Sequence, residues 1–104
     1  MKVYIAGKIT GLEPEVAYEL FLAAENLICH YGHTPLSPIK LVDQTEGREY
    51  GEYLADALTI LLTQADAVYF LDNWTESNGA KIEKFIAATL GFEMAFTAEE
   101  LEQF

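Results

Sequence analysis

Apolar positions recur along this chain in two periods, and they mark out alternating short strands and helices. Residues 2–6, Lys-Val-Tyr-Ile-Ala, are apolar and partly β-branched, the pattern of a buried strand. A loop bracketed by Gly7 and Gly11 follows, and Pro14 sits where a first helical turn tolerates it best. Ala17, Leu20, Phe21, Ala24, Leu27, Ile28 and Tyr31 then repeat at helical spacing, and Gly32 is placed to end that helix. His33–Pro38 reads as a second strand, with Pro35 and Pro38 limiting its pairing. Leu41–Tyr50 is polar and reads as an irregular loop. A second helix over residues 52–64 puts Leu54, Ala57, Leu58, Leu61, Leu62 and Ala65 on one face. Ala67–Leu71 is a continuous apolar run of strand length, as expected of a strand covered on both faces. A polar loop, Asp72–Asn78, surrounds Trp74, and a helix over residues 79–90 is stopped by Gly91. Phe92–Phe96 predicts a last short strand, and Thr97 a cap for a terminal turn through Glu99 and Glu100.

Strand and helix alternate throughout, which predicts a parallel sheet with right-handed crossovers. The expected fold is α/β: one three-layer flavodoxin/Rossmann-like domain over residues 1–104, with a mostly parallel sheet of four or five strands. Ligands of such sheets bind beyond the C-terminal ends of the strands. That rule selects two loops, residues 7–12 and residues 72–78.

Composition narrows the function. Formal net charge is −11, from 17 acidic and 6 basic residues. A long nucleic acid would meet a repulsive field, so that partner class is excluded, whereas a backbone site can hold one small anion against the global charge. No apolar run approaches a membrane span, and the opening residues predict no signal peptide. The lone Cys29 rules out an internal disulfide and suits a reducing cytoplasm. It falls among apolar helical positions and reads as structural. His30 and His33 lack a third nearby ligand, so no metal or cofactor is expected.

Within the two selected loops, Gly7 and Gly11 would let backbone approach a ligand closely, or simply form a tight turn. Neither a phosphate-binding P-loop nor a dinucleotide glycine fingerprint is present. Ser77 or Asn78 suits a helix N-cap, and the helix start at Gly79 presents free N–H groups to one phosphate. Glu83 follows six residues after Ser77, roughly 9 Å along the helix, a separation suited to parts of one nucleotide. Asp72 closes the third strand as a site carboxylate or a turn aspartate. Tyr4 is either a core residue with a satisfied hydroxyl or part of the site, and Trp74 either a rim aromatic for a base or a loop anchor.

These segments together carry a resemblance. Val3-Tyr4-Ile5-Ala6-Gly7-Lys8-Ile9-Thr10-Gly11, Gly32-His33, Pro38, Gln64-Ala65-Asp66, Asn73-Trp74, Ser77-x-Gly79-Ala80-x-x-Glu83 and Leu90-Gly91 resemble, in order, the nucleoside 2-deoxyribosyltransferase superfamily. The match is to a small branch of it near the deoxynucleoside 5′-monophosphate N-hydrolases, and it covers residues 2–92. It implies cleavage of the N-glycosidic bond of a deoxynucleoside or its 5′-monophosphate, by hydrolysis or base exchange. By the same resemblance, Glu83 is the carboxylate nucleophile, Tyr4 lies near sugar and nucleophile, and Gly7, Lys8 and Ile9 surround base and phosphate. Serine at Ser77, rather than aspartate, favours a monophosphate. Relatives carry an aspartate where this chain has Leu58, and its nearest counterpart, Asp56, is turned about 200° around the helix. Asp72 is the other candidate acid. A displaced acid leaves a second expectation, a module that binds a nucleotide or sugar phosphate without cleaving it. The resemblance also implies a homodimer, for which Phe92–Phe96 and Phe104 are the candidate surface.

Overall fold

The structure, a computed structural model, describes residues 1–45 and 47–104; Glu46, within the predicted 41–50 loop, lies outside the described residues. The elements run β1 (Lys2–Ala6), α1 (Pro14–His30), β2 (Thr34–Leu36), α2 (Pro38–Leu41), α3 (Tyr50–Gln64), β3 (Ala67–Phe70), a 3-10 turn (Trp74–Glu76), α4 (Asn78–Leu90), β4 (Glu93–Ala95) and α5 (Ala98–Glu102). The four strands form one parallel sheet in the order β2-β1-β3-β4. Helices cover both faces, which makes this a three-layer Rossmann/flavodoxin-like fold.

The alternating pleat of the two central strands divides the core in two. Val3, Ile5, Ala67 and Leu71 pack with Phe21, Ala24 and Ile28 of α1 and Leu101 of α5. Tyr4, Ala6, Val68 and Phe70 turn the other way, onto Ala57 and Leu61 of α3 and Ala80 and Ala87 of α4. Register fixes this division, because Tyr4 lies beside both Leu36 and Val68, and Ala6 beside Phe70. Asp66 holds the start of that register: its carboxylate accepts from the Lys2 N–H at 2.8 Å, and its own N–H donates to the Lys2 carbonyl at 2.8 Å.

Helix ends follow the sequence cues. Gly91 adopts φ +77° after α4, a left-handed conformation that suits glycine, and the Phe92 N–H reaches back to the Ala87 carbonyl at 2.9 Å. The Thr97 hydroxyl accepts from the Glu100 N–H at 3.1 Å, capping α5.

Several expectations need adjustment. The second strand is shorter than His33–Pro38, because Pro38 instead opens α2, with its fixed φ suited to a first helical turn. The helix expected from residue 52 begins at Tyr50. Of the stretch Phe92–Phe96 and Phe104, the side chains of Phe92, Met94, Phe96 and Phe104 are partly buried and pack against the core. Phe96 stacks on Phe70 with ring centroids 4.6 Å apart. The large exposed apolar side chains of α4 are instead Ile82, Phe85 and Leu90. Leu20 and Leu62, expected on core faces, are 41% and 49% exposed, since each lies at the margin of its helix's apolar stripe.

Among the described residues, no helix is long and apolar enough to cross a membrane.

Phe70 is fully buried at the centre of this packing. Phe70→Ala is expected to destabilise the fold by about 3–5 kcal/mol in urea denaturation. Leu62→Ala, at an exposed site, is expected to stay within about 0.5 kcal/mol of the parent.

Candidate functional site

At the C-terminal end of β1 the loops after β1 and β3 meet, as the strand-end rule requires. One hydrogen bond ties them: the Lys8 N–H donates to the Asn73 side-chain carbonyl at 2.9 Å. Gly7 allows a second close approach, since a methyl group there would lie 2.6 Å from Leu71 Cδ1 and 2.9 Å from Cγ. Between these loops and the α3–α4 layer lies a cavity of about 300 Å³, within the range of small-molecule sites.

Each wall comes from one element. Tyr4 and Ile5 of β1 form the base, and Gly7, Lys8, Ile9 and Thr10 one side. Ser77, Asn78, Gly79, Ala80 and Glu83 of the α4 start form another, beside Glu76. Tyr50, Tyr53, Leu54 and Ala57 of α3 close it, with Pro38. Lys8 is the single cation among the described lining residues.

The α4 N-terminus is held in place by packing and capping. Trp74 lies against Phe70 and Phe96, with ring centroids 5.5 and 5.6 Å apart, and so anchors the 3-10 turn that leads into the helix. Ser77 is the N-cap, its hydroxyl accepting from the Ala80 N–H at 3.1 Å. Asn78, Gly79 and Ala80 of the first turn line the cavity at the positive pole of the helix. A methyl on Gly79 would lie 2.7 Å from the Tyr50 hydroxyl, so glycine there admits the tyrosine to the site.

Glu83 is the chemical centre. It is 5% exposed, and its Oε2 accepts a hydrogen bond from the buried Tyr4 hydroxyl. Burial disfavours the charged carboxylate and outweighs the Tyr4 hydrogen bond, which acts the other way, raising the Glu83 pKa from its ordinary 4.5 to about 7. Tyr4 is pushed well above its usual range, first by burial and then by the Glu83 charge. Tyr53 is pushed up to about 12, chiefly by burial, with the Gln44 side chain acting the other way and Glu83 adding to the rise. Tyr50 is likewise raised by burial and by Glu83. The result is a carboxyl poised to gain or lose a proton near neutrality, set among phenols that stay neutral.

The structure therefore brings together Tyr4, Gly7, Lys8, Ile9, Ser77, Asn78, Gly79 and Glu83. It does not bring the other four sequence candidates to the cavity. Asp56 is exposed and accepts from Arg48 Nη2 at 2.7 Å, because it lies roughly 100° around α3 from Ala57. Asp72 is exposed and lines a separate groove on the α1 side with Leu20, Leu27 and Tyr69. Trp74 is a loop anchor, and Gly11, at φ +90°, makes the turn before α1. Leu58 packs against the core. His33 faces the N-terminal amine at 3.2 Å, and no group of three or more metal-ligating side chains occurs among the described residues.

Sequence reasoning missed Tyr50, Tyr53 and Pro38 as site residues, while Thr10 and Glu76 lie within the two selected loops without having been singled out. A signal for the two tyrosines was present, since Tyr50, Tyr53, Leu54 and Ala57 follow the i, i+3, i+4, i+7 pattern of one helical face.

A model of the family described as "Domain of unknown function (DUF4406)" matches residues 1–96. The chain belongs to this family. A comparison with curated proteins returned no match. The matched span of this DUF4406 member includes every lining residue of the cavity.

A carboxyl with a raised pKa binds its proton more tightly in the folded state than in the unfolded chain. Its contribution favours folding below about pH 4.5 and is lost as pH rises toward about 7, a difference of roughly 3 kcal/mol. Glu83→Gln, which keeps the shape without the charge, is accordingly expected to exceed the parent in stability by about 1–3 kcal/mol at pH 8. That advantage is expected to shrink toward pH 5 in parallel urea melts. Equal stabilities at pH 8 would contradict the buried-carboxyl account.

Proposed function

We propose that this protein cleaves the N-glycosidic bond of a deoxynucleoside 5′-monophosphate, with Glu83 as the attacking carboxylate. The observation that carries the reading is the buried Glu83–Tyr4 pair on the cavity wall, one and a half turns from the capped N-terminus of α4. The first turn of α4, Ser77 and Lys8 supply a phosphate end. Glu83 supplies an anion where an oxocarbenium-like anomeric carbon would develop. The resemblance to the nucleoside 2-deoxyribosyltransferase superfamily supports the same assignment of Tyr4, Ser77 and Glu83.

The chemistry follows from these groups. Tyr4 donates to Glu83 Oε2, which orients the carboxylate and leaves Oε1 for attack. As the bond between the anomeric carbon and the base nitrogen breaks, its electron pair leaves with the base, and Glu83 forms a glycosyl ester. Water, or a second base in a transferase, then opens that ester. A pKa of about 7 makes the attacking form abundant only at neutral pH and above, so the rate is expected to rise through this range.

One observation favours a second reading, a module that binds without cleaving: neither Asp56 nor Asp72 faces the cavity as an acid for the leaving base.

Incubation with deoxynucleoside 5′-monophosphates and the matching nucleosides, followed by chromatography for free base, separates the readings. Base release from the monophosphates is expected, falling at least about 10³-fold in Glu83→Ala. Equal activity in that variant would remove Glu83 as nucleophile. Micromolar binding by calorimetry with no base released over hours would establish the second reading instead.

A further inference from the structure

Among the described residues, two buried side-chain polar atoms have no hydrogen-bond partner: the Ser37 hydroxyl and the Tyr53 hydroxyl. Native structures leave few such groups, and each calls for a physical reason. Tyr53 is the one that lines the cavity. It stands one turn before Ala57 on the face of α3 that closes the site, and its ring packs against the core cluster containing Tyr4 and Phe70. The Gln44 side chain comes near it, but its Nε2 donates to the Pro38 and Val42 carbonyls at 3.2 and 3.1 Å.

We propose that the Tyr53 hydroxyl is a ligand-recognition group, which donates its hydrogen bond to an acceptor atom of the bound molecule. The ligand chemistry this selects is a polar one. It presents a heterocycle nitrogen, a carbonyl oxygen or a sugar hydroxyl to α3 while its anomeric carbon faces Glu83. A ligand that offers an acceptor there gains a hydrogen bond that the free protein lacks, whereas an apolar ligand of the same shape gains none. Burial raises the Tyr53 pKa to about 12, so the hydroxyl keeps its proton throughout the range in which Glu83 titrates. Its role is a hydrogen bond and not proton transfer. The nucleotide identity of the ligand rests on the function proposed above; the recognition role of Tyr53 rests on an orphaned hydroxyl carried by a residue of the cavity wall.

The test is Tyr53→Phe, which removes the hydroxyl and keeps the ring, read in two ways. Urea melts of the free protein are expected to show the variant at least as stable as the parent, because an unpaired buried donor is removed. Calorimetry with each deoxynucleoside 5′-monophosphate is expected to show the dissociation constant raised about tenfold or more. A third arm uses 2-deoxyribose 5-phosphate. Weakening of both ligand types puts the acceptor on the sugar, and weakening of the nucleotides alone puts it on the base. Unchanged affinity in Tyr53→Phe overturns the proposal while leaving the nucleotide function standing. A free variant less stable than the parent overturns it too, since the hydroxyl would then be structural. If the parent binds neither ligand type, the nucleotide reading and the recognition role of Tyr53 toward such ligands fall together.

Discussion

The buried hydrogen bond between Tyr4 and Glu83 is the interaction on which the rest of this structure turns. A carboxyl group at 5% exposure is costly to keep, because burial removes water from an ion that wants it. The fold meets that cost in part with one phenol, donated from the middle of the central strand β1. Everything else about the site follows from where these two side chains must meet. Tyr4 has to point to the α3–α4 side of the sheet, and Glu83 has to lie on the face of α4 turned back toward β1.

Both conditions are met by features that also build the core. The pleat sends Tyr4 and Ala6 to one side and Val3 and Ile5 to the other. Small residues at Gly79, Ala80 and Ala87 let α4 lie close to the sheet, which brings Glu83 within reach of Tyr4. The Phe70–Trp74–Phe96 cluster fixes the turn before α4, and the Ser77 cap fixes its first residue. Scaffold and site are thus one piece of packing, so a change in the aromatic cluster would also disturb the helix end that faces the cavity.

Much of this was legible in the chain itself. The apolar runs at 2–6 and 67–71 predicted the two central strands, and the strand-end rule then pointed to the loops that Lys8 and Asn73 now join. Glycines and caps, such as Gly91 and Thr97, placed helix ends well because their local chemistry is decisive. The acids were less legible. Asp72 and Asp56 were plausible by sequence position, yet one rounds onto the α1 side and the other pairs with Arg48 in solvent. Rotational phase at the end of a strand or on a helix surface depends on tertiary packing, which spacing alone does not give. Tyr50 was hidden for a related reason: the start of α3 carries no side-chain cap to mark it, so the helix was expected two residues later.

The account stands on Glu83 being a protonatable carboxyl held in the cavity wall. Carbon-13 NMR of the Glu83 side-chain carboxyl, followed across pH in the free protein, tests that directly. A midpoint near 7, well separated from the exposed glutamates, is the predicted result. A midpoint in the ordinary range near 4.5 would contradict it, because a carboxyl that ionises like a surface glutamate is not buried against Tyr4.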